Sequence, residues 1–403
     1  MQQPARLFMM AIPDFKKEAQ AFFDDMVALR RDFHMHPELG FQEIRTSGIV
    51  ADTLDNLGLE VQRGVGQTGV VGILEGAKPG PVVMMRFDMD ALPIQEETDL
   101  SYASKHEGVM HSCAHDGHIT MGLTIARIMS KYQEQISGTL KFVFQPAEEG
   151  LGGAFAMIAD GVLENPHPDV AFAMHIWNST PYGKVRVRPG PVMASSSVFS
   201  LTVQGQGGHG AAPQQAKDPI LAAAHIVSAL QSIVSRNTDP QESVVVSIGQ
   251  FSAGTTFNVI PDRATLKGTV RSYNEELHRH TYRRILEMAV NMATAFSCEA
   301  RMETLAIVSA VNNAEGPTAV VYDAAAQVIG EANILNERTM ASEDMGYILE
   351  EIPGCYFFVG GRNEELGYTF PHHHPKFNFD ERAMIDGVAI MSHAVAKYVM
   401  NQG

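Results

Sequence analysis

The stretch Pro81–Asp90, PVVMMRFDMD, is an almost continuous apolar run that ends in two acidic residues. A run without polar alternation is typical of a strand that is buried on both faces of its sheet. Two more runs of this kind follow it, Thr139–Phe144 and Pro168–Asn178. Because such strands occur in sheets that helices cover on both sides, the three runs predict an α/β fold.

The three runs lead into polar side chains that can carry chemistry. Asp88 and Asp90 end the first run, Glu148 and Glu149 follow the second, and His175 lies near the end of the third. Open α/β sheets place their sites at the carboxyl ends of strands. The two aspartates could cap the next turn. We favour a carboxylate that orients a metal-binding histidine for at least one of them, with Asp88 as the choice.

The segment His111–His118, HSCAHDGH, contains five side chains that can bind a metal ion or carry a proton. Cys113 and His115 are two residues apart, so in an extended loop both point to the same side. Alone, the segment could be a polar loop in front of a helix, with a buried cysteine and hydrogen-bonded histidines. The polar strand ends favour a metal site, in which Asp116 is a further candidate for an orienting carboxylate.

The adjacent acids Glu148 and Glu149 repel each other unless a cation neutralises one of them. Metal hydrolases use one carboxylate to bind the ion and another to take a proton from the attacking water. Glu149 suits the first role and Glu148 the second. A solvated acidic turn is the alternative, and the apolar strand that leads into the turn weakens it.

Other polar residues lie at predicted helix and strand ends. His34, His36 and Glu43 could belong to a site, although helix ends also use such residues for capping. The three successive histidines His372–His374 follow the predicted buried strand Cys355–Val359 and precede a proline. They are a plausible source of one more metal ligand.

From Ser195 the pattern changes to shorter strands and two longer helices. Residues 195–307 follow the order β-α-β-β-α-β, which is the order of ferredoxin-like domains. We therefore predict a small domain of residues 191–307, inserted into a larger domain of residues 1–190 and 308–403. His209 and Asn258 lie on predicted loops of the insert, where ordinary turn chemistry would also explain them.

Length and composition narrow the class of protein. The chain has 403 residues, 45% of them hydrophobic, which is enough for two domains with cores of their own. Its formal net charge of −16 argues against nucleic acid or an anionic membrane as a partner. Three scattered cysteines give no disulfide framework, and neither a signal peptide nor an apolar run of membrane length is evident. We expect a cytoplasmic protein.

Six segments, in this order, resemble the M20 family of metallopeptidases and amidohydrolases. The likeness extends over nearly the whole chain and is strongest to the branch of hippurate hydrolase, N-acyl-amino-acid amidohydrolases and indole-acetyl-amino-acid hydrolases. The segments are Arg31–Gly40, Arg86–Pro93, Met110–His118, Gln145–Gly150, Phe257–Asp262 and His373–Phe377.

This resemblance implies a metal centre with five protein ligands. They would be Cys113, His115, Glu149, His175 and His373, with His374 as the second choice for the last. Thiolate, imidazole and carboxylate together suit Zn²⁺, Mn²⁺, Co²⁺ or Ni²⁺. Because five ligands exceed what one tetrahedral ion uses, we expect two divalent ions that share a ligand.

The resemblance also implies roles for the remaining site residues. Glu148 would be the general base on the water that the metals activate. His209 would stabilise the oxyanion from the inserted domain, which would act as lid and dimerisation domain and would reach the site of the other subunit. Asn258 would lie near the substrate, and Arg271 could hold the substrate carboxylate. The assembly would be a homodimer or a tetramer of dimers.

Two positions depart from the family pattern. Ala114 replaces the usual glycine between Cys113 and His115, which would cost about 1 kcal/mol or more if the backbone there is left-handed, and the loop could then be rearranged. Phe87 occupies a position where a smaller residue is commoner, and it could reshape the wall of the substrate pocket.

Three functions remain open from the sequence. The favoured one is hydrolysis of N-acyl or N-aroyl amino acids to a carboxylic acid and a free amino acid. The second is a dipeptidase, carboxypeptidase-like, aromatic amine or carbamoyl hydrolase that uses the same site. The third is a catalytically silent binding protein, against which the presence of both Glu148 and Glu149 argues.

Overall fold

The computed structural model describes residues 12–400 of the chain. Packing divides it into two compact units. The larger unit comprises the residues up to Gly190, Asn312–Glu337, and the residues from Tyr347 onward. The smaller unit comprises Pro191–Val311 and Arg338–Gly346.

The segment Arg338–Gly346 differs from the sequence prediction, which assigned it to the larger domain. It packs with the smaller unit because its backbone forms hydrogen bonds with residues of that unit. The Thr339 amide donates to the carbonyl of Val192 at 3.0 Å, and the Ala194 amide donates to the carbonyl of Ala341 at 2.9 Å. Such long-range backbone pairing has no local signal in the sequence.

Ten α-helices lie within residues 12–400. In chain order they are α1 (Phe15–Ala21), α2 (Phe23–Met35), α3 (Ile44–Asn56), α4 (His115–Ser130), α5 (Gly153–Ala159), α6 (Pro219–Ser232), α7 (Glu275–Ala295), α8 (Glu315–Ile329), α9 (Met345–Glu351) and α10 (Ala383–Val399).

The same residues contain sixteen strands. They are β1 (Glu60–Val65), β2 (Gly69–Glu75), β3 (Lys78–Asp88), β4 (Ser137–Gln145), β5 (Val170–Pro181), β6 (Val185–Arg186), β7 (Gly190–Met193), β8 (Ser195–Gln204), β9 (Gly208–His209), β10 (Val244–Ala253), β11 (Val259–Ile260), β12 (Arg263–Ser272), β13 (Glu299–Val308), β14 (Val311–Asn313), β15 (Ile334–Leu335) and β16 (Gly354–Arg362).

An eight-stranded sheet forms the centre of the larger unit, in the order β1-β2-β4-β3-β5-β16-β6-β15. The predicted α/β fold is confirmed. The three apolar runs of the sequence are β3, β4 and β5, and β3 pairs in parallel with both of the others. Their side chains form one core with α4, α8 and α10, which explains why the runs lack polar alternation. Parallel pairing brings the carboxyl ends of all three strands to one edge of the sheet.

The smaller unit has a four-stranded antiparallel sheet in the order β10-β12-β8-β13. Helices α6 and α7 pack on it around a separate core that includes Phe199, Leu201 and Ile226. Along the chain the elements follow the order β8-α6-β10-β12-α7-β13. A short ladder outside the main sheet pairs β9 with β11.

The helices of residues 12–400 differ in length and in apolar character. None of them combines sufficient length with sufficient apolar character to span a bilayer.

Candidate metal centre

Strand register brings the polar ends of β3, β4 and β5 to the same level. Asp88, the last residue of β3, lies opposite Gln145, the last residue of β4. On the other side, Arg86 lies opposite Ala173 of β5, so His175 falls at the level of Asp88. The turn that follows β4 carries the two glutamates to this edge of the sheet.

Helix α4 begins at the same edge and positions the cysteine and histidine of the predicted loop. Ala114 is its N-cap and adopts a left-handed conformation, with φ 67° and ψ 14°. Its carbonyl accepts from the amides of Gly117 at 2.9 Å and His118 at 3.1 Å, so the first turn of the helix holds this conformation in place. The glycine-like geometry is therefore kept, at a strain of about 1–2 kcal/mol for alanine.

The five predicted ligands and the predicted base come together in three overlapping groups. In each group the candidate ligand atoms lie within 4.8 Å of one another. The groups are Cys113 with His115 and His175, Cys113 with Glu149 and His373, and His115 with Glu148 and Glu149. Cys113, His115, Glu149, His175 and His373 are called the ligand cluster below.

Two atoms of the ligand cluster are buried without a hydrogen-bond partner among the described residues. His115 donates from Nδ1 to the carbonyl of Asp90 at 2.8 Å, which leaves the lone pair of Nε2 unused. Oε1 of Glu149 is the second such atom; it lies 3.2 Å from Nε2 of His373 without hydrogen-bond geometry. Buried polar atoms are rarely left unsatisfied, so both fit atoms that bind a cation.

The charges around the cluster also fit a cation. Burial alone would lower the pKa of His115, but the negative charges of Asp88, Asp90 and Glu149 outweigh it and raise this pKa to about 10. Burial, together with Glu149 and Glu148, raises the pKa of the Cys113 thiol well above its usual range. An excess of buried negative charge that holds a proton would hold a divalent ion in the proton's place.

His175 is fixed by its own strand. Its Nδ1 lies 2.5 Å from the carbonyl of Ile176, and its Nε2 lies 3.6 Å from Sγ of Cys113. Donation from Nδ1 to the carbonyl directs the Nε2 lone pair toward the cysteine. This is the arrangement expected of a metal-binding imidazole whose tautomer is set by its outer partner.

Asp90, rather than the predicted Asp88, hydrogen-bonds to two of the predicted ligands, to His115 through its backbone carbonyl and to Glu149 through its carboxylate. Asp88 lies 3.7 Å from Nε2 of His115, but its hydrogen bonds go to His118 at 2.6 Å and Arg86 at 2.7 Å. Asp90 binds Nδ1 of His115 through its carbonyl and accepts the amide of Glu149 through Oδ2 at 2.9 Å. Strand β3 ends at Asp88, and the two residues beyond it give Asp90 its reach.

Asp116 also differs from its predicted role. Its Oδ2 accepts from Nε of Arg30 and from Nδ1 of His34, each at 2.8 Å. Burial opposes ionisation of Asp116, but the Arg30 guanidinium outweighs it and holds the pKa of this carboxyl well below its usual range. Asp116 therefore belongs to a buried ion pair beside the centre, and its side chain is not aimed at the ligand histidines.

The three successive histidines have different surroundings. His373 lies in the group with Cys113 and Glu149, and its amide donates to the carbonyl of Ser112 at 2.9 Å. His374 stacks on Phe370 at 4.4 Å, and its Nδ1 accepts the amide of Lys376. His372 is directed at the carbonyl of Ile176 at 2.9 Å. Among the three, only His373 occurs in a candidate metal group of the described residues.

Phe87 does not have the predicted place in a pocket wall. Successive side chains of a strand point to opposite faces, so Phe87 points away from Asp88. Its ring is 1% exposed and packs against Phe144 at 5.3 Å. Gly122 of α4 makes room for it, because a Cβ at Gly122 would lie 2.7 Å from Cδ2 of Phe87.

The remaining predicted residues belong to the smaller unit. His209 and Val259 face each other in the β9–β11 ladder, and the amide of Gly210 donates to the carbonyl of Asn258 at 2.9 Å. His209 and Asn258 are both exposed neighbours in space. Arg271 donates from Nη1 to the carbonyl of Met340 and to Oγ of Ser342, each at 3.1 Å.

The fold and the cluster define an α/β protein with a candidate metal centre of mixed thiol, imidazole and carboxylate ligands. Residues 84–397 match the model of peptidase family M20/M25/M40. Hippurate hydrolase of Campylobacter jejuni is 41% identical, over 92% of this chain and 96% of that protein. Thermostable carboxypeptidase 1 of Saccharolobus solfataricus is 39% identical, over 95% and 97%.

A solved structure agrees with the sequence relatives. The YXEP protein of Bacillus subtilis, described as a dinuclear metal-binding peptidase from the M20 family, superposes with a TM-score of 0.81 at 32% identity. The match covers 94% of this chain and 98% of that one. The chain therefore belongs to peptidase family M20/M25/M40, and it is a metal-dependent hydrolase of amide bonds.

Proposed function

We propose that this protein hydrolyses the amide bond of N-acyl or N-aroyl amino acids and releases a carboxylic acid and a free amino acid. The observation that carries the proposal is the ligand cluster, which has Glu148 beside it. The 41% identity to a hippurate hydrolase supports the substrate class.

The ligand cluster would hold two divalent ions, with Cys113 common to the group that contains His175 and the group that contains His373. Such ions polarise the amide carbonyl and lower the pKa of the attacking water. The unused Nε2 of His115 and Oε1 of Glu149 support this assignment. Mn²⁺, Zn²⁺, Co²⁺ and Ni²⁺ all suit the donor set.

Glu148 would move the proton. It is partly buried, and it lies in one group with His115 and Glu149. As the water adds to the amide carbon, Glu148 takes a proton from it. When the tetrahedral intermediate collapses, Glu148 gives the proton to the leaving nitrogen.

The smaller unit would supply the remaining groups. His209 would donate a hydrogen bond to the developing oxyanion, from the smaller unit of a second subunit in a homodimer. Asn258, its neighbour in the β9–β11 ladder, would contact the substrate. Arg271 is the candidate for the substrate carboxylate, with Nη1 already bound to the 340–342 segment.

Cleavage of peptides at their carboxyl end is the second candidate function. The relative named thermostable carboxypeptidase 1 is 39% identical, nearly as similar as the hippurate hydrolase. Both reactions break an amide bond beside an amino acid with a free carboxylate. They differ in the group on the other side of that bond, which is an acyl group in one case and a peptide in the other.

Amino-acid release from a panel of substrates distinguishes the acyl-amino-acid hydrolase from the carboxypeptidase. The panel contains N-acetyl, N-benzoyl and indole-acetyl amino acids beside dipeptides, with Mn²⁺ or Zn²⁺ restored to the protein. We expect turnover of acyl amino acids and a fall of kcat by about 10²–10⁴ in Glu148→Gln with metal content unchanged. Turnover of dipeptides alone would shift the assignment to peptidase, and an unchanged kcat in Glu148→Gln would remove the general base.

A further inference from the structure

We propose that Glu43 is a positioning residue, whose carboxylate holds the turn that carries Glu148 and Glu149 in its working conformation. This proposal rests on the roles proposed above for Glu148 and Glu149. Glu43 is fully buried at the start of α3. Its Oε1 accepts the amide of Ala147 at 2.9 Å, and its Oε2 accepts Oγ1 of Thr68 at 2.5 Å.

The position of Glu43 at the start of α3 does not explain the direction of its carboxylate. Glu43 is the N-cap of α3, but its side chain makes no capping hydrogen bond to that helix. The first turn of α3 is served by another residue, since Glu38 accepts the amides of Arg45 at 3.0 Å and Thr46 at 2.8 Å. The Glu43 carboxylate is directed across the fold at the Ala147 turn. Burial raises the pKa of this carboxyl.

Ala147 needs a partner of this kind. It has φ 54°, a left-handed conformation that is strained for alanine, and it is fully buried. Without the Glu43 carboxylate its amide would be a buried donor that has lost its acceptor, which is a further cost. The turn would then relax toward an ordinary conformation and carry the side chains of the next two residues with it.

A second carboxylate acts on the same turn. Asp90 accepts the amide of Glu149 at 2.9 Å, so the amides of Ala147 and Glu149 are each held by an acid from another segment. Glu148 lies between the two held amides. Its backbone is thereby fixed on both sides, which sets the direction of the proposed general base and of the ligand that follows it.

Ala114, the left-handed alanine between Cys113 and His115, can be compared with Ala147. Ala114 is held by helix α4, whose own amides bond to its carbonyl. The Ala147 carbonyl likewise accepts a helix amide, that of Gly153 at the start of α5 at 3.0 Å, but its own amide is bound by the Glu43 side chain. Three of the left-handed residues other than glycine lie at this centre: Ala114, Ala147 and His373. Strained residues of this kind collect at functional sites.

Four variants of the full-length, metal-restored protein test the proposal. Glu43→Ala removes both acceptors. Glu43→Asp keeps the charge but shortens the side chain by one methylene, which moves the carboxylate away from the Ala147 amide. Glu43→Gln keeps an acceptor for the Ala147 amide and turns the other contact into a donor, which the Thr68 hydroxyl can accept. Thr68→Val is the matched control, because it removes the other hydrogen bond of Glu43 and leaves the one to Ala147.

The readouts are Zn²⁺ affinity from competition with a chelating dye, kcat and KM, and the thermal midpoint. We expect Glu43→Ala and Glu43→Asp to lose about 10–100-fold in Zn²⁺ affinity and in kcat, as is typical for outer partners of a metal site. Glu43→Gln stays within about threefold of wild type, and Thr68→Val lowers the thermal midpoint without these losses.

Equal losses in Glu43→Gln and Glu43→Asp would overturn the proposal, as would wild-type affinity and kcat in a folded Glu43→Asp. Losses in Thr68→Val that match those of Glu43→Asp would overturn it too, because they would show a purely structural role. If Glu43→Ala does not fold, the Asp and Gln variants decide. Zn²⁺ affinity does not depend on the substrate, so an error in the proposed reaction would leave this part of the test intact.

Discussion

The ligand cluster of the larger unit and the His209–Asn258 pair of the smaller unit are built in opposite ways. His115 and His175 are buried, at 0% and 3% exposure, and each has one nitrogen bound to a backbone carbonyl. His209 is exposed, and its Nδ1 accepts only the nearby amide of Ala211 at 3.0 Å. His115 and His175 are thus held within the fold, although His373 of the same cluster is exposed, whereas His209 and Asn258 lie on a short ladder at the surface.

The difference has an energetic cause. A buried polar atom without a partner is costly, and the ligand cluster has two such atoms, Nε2 of His115 and Oε1 of Glu149. An exposed histidine is hydrated and carries no such cost. Substitutions in the cluster should therefore change metal affinity and stability together, while substitutions of the exposed pair should change catalysis alone.

His209→Ala is expected to separate catalysis from stability most clearly. Loss of an oxyanion donor lowers kcat by about 10²–10³. The thermal midpoint and metal content should remain those of wild type, because the removed side chain is exposed. His225→Ala, another exposed histidine of the smaller unit, is the control and should leave kcat unchanged. An equal loss of kcat in both variants would mean that the smaller unit has been disturbed generally.

His373 and His374 give the corresponding test in the larger unit. We expect His373→Ala to lower the affinity for the more weakly held metal ion by more than about 100-fold, which exceeds the usual effect of an outer partner. His374→Ala removes a ring stacked on Phe370 and should lower stability slightly with metal affinity unchanged. Titration of the metal-free variants with Zn²⁺ measures both. The reverse result would make His374 the ligand.

Ala114→Gly is the smallest of the expected effects and concerns the fold alone. Glycine adopts φ 67° without the strain of alanine, and part of this gain is offset by the greater freedom of glycine in the unfolded chain. We expect a net gain of about 0.5–1 kcal/mol in unfolding free energy. Ala126→Gly, at a buried position inside α4, should instead destabilise by about 1 kcal/mol. Denaturant unfolding of both variants decides, and a loss in Ala114→Gly would show that the alanine is not strained.

The sequence predicted the parts of the molecule that depend on local pattern. The apolar runs that became β3, β4 and β5 identified the α/β fold, because strands covered on both faces cannot alternate. The likeness of HSCAHDGH and neighbouring segments to a known family led to the ligand residues. Parallel pairing of the three strands then explains why these distant segments meet.

Other features depend on distances that no local pattern encodes. Asp88 and Asp90 occupy similar positions in the sequence, at the end of the same apolar run. Only the structure shows that β3 ends at Asp88, so that Asp90 lies beyond the strand and hydrogen-bonds to His115 and Glu149. From the sequence, Glu43 resembles a helix-capping residue. The structure shows that its carboxylate accepts the amide of Ala147 instead. The orientation of Phe87 could have been found, because strand alternation alone places it on the face opposite Asp88.

Metal stoichiometry is the most direct test of the central claim that the ligand cluster holds two ions with Cys113 in common. The metal-free protein is titrated with Zn²⁺ and the bound metal is counted by elemental analysis, for wild type and for Cys113→Ala. We predict two ions per chain in wild type and weakened binding of both in the variant, because Cys113 belongs to the group with His175 and to the group with His373. One ion in wild type, or two ions with unchanged affinity in Cys113→Ala, would contradict this account.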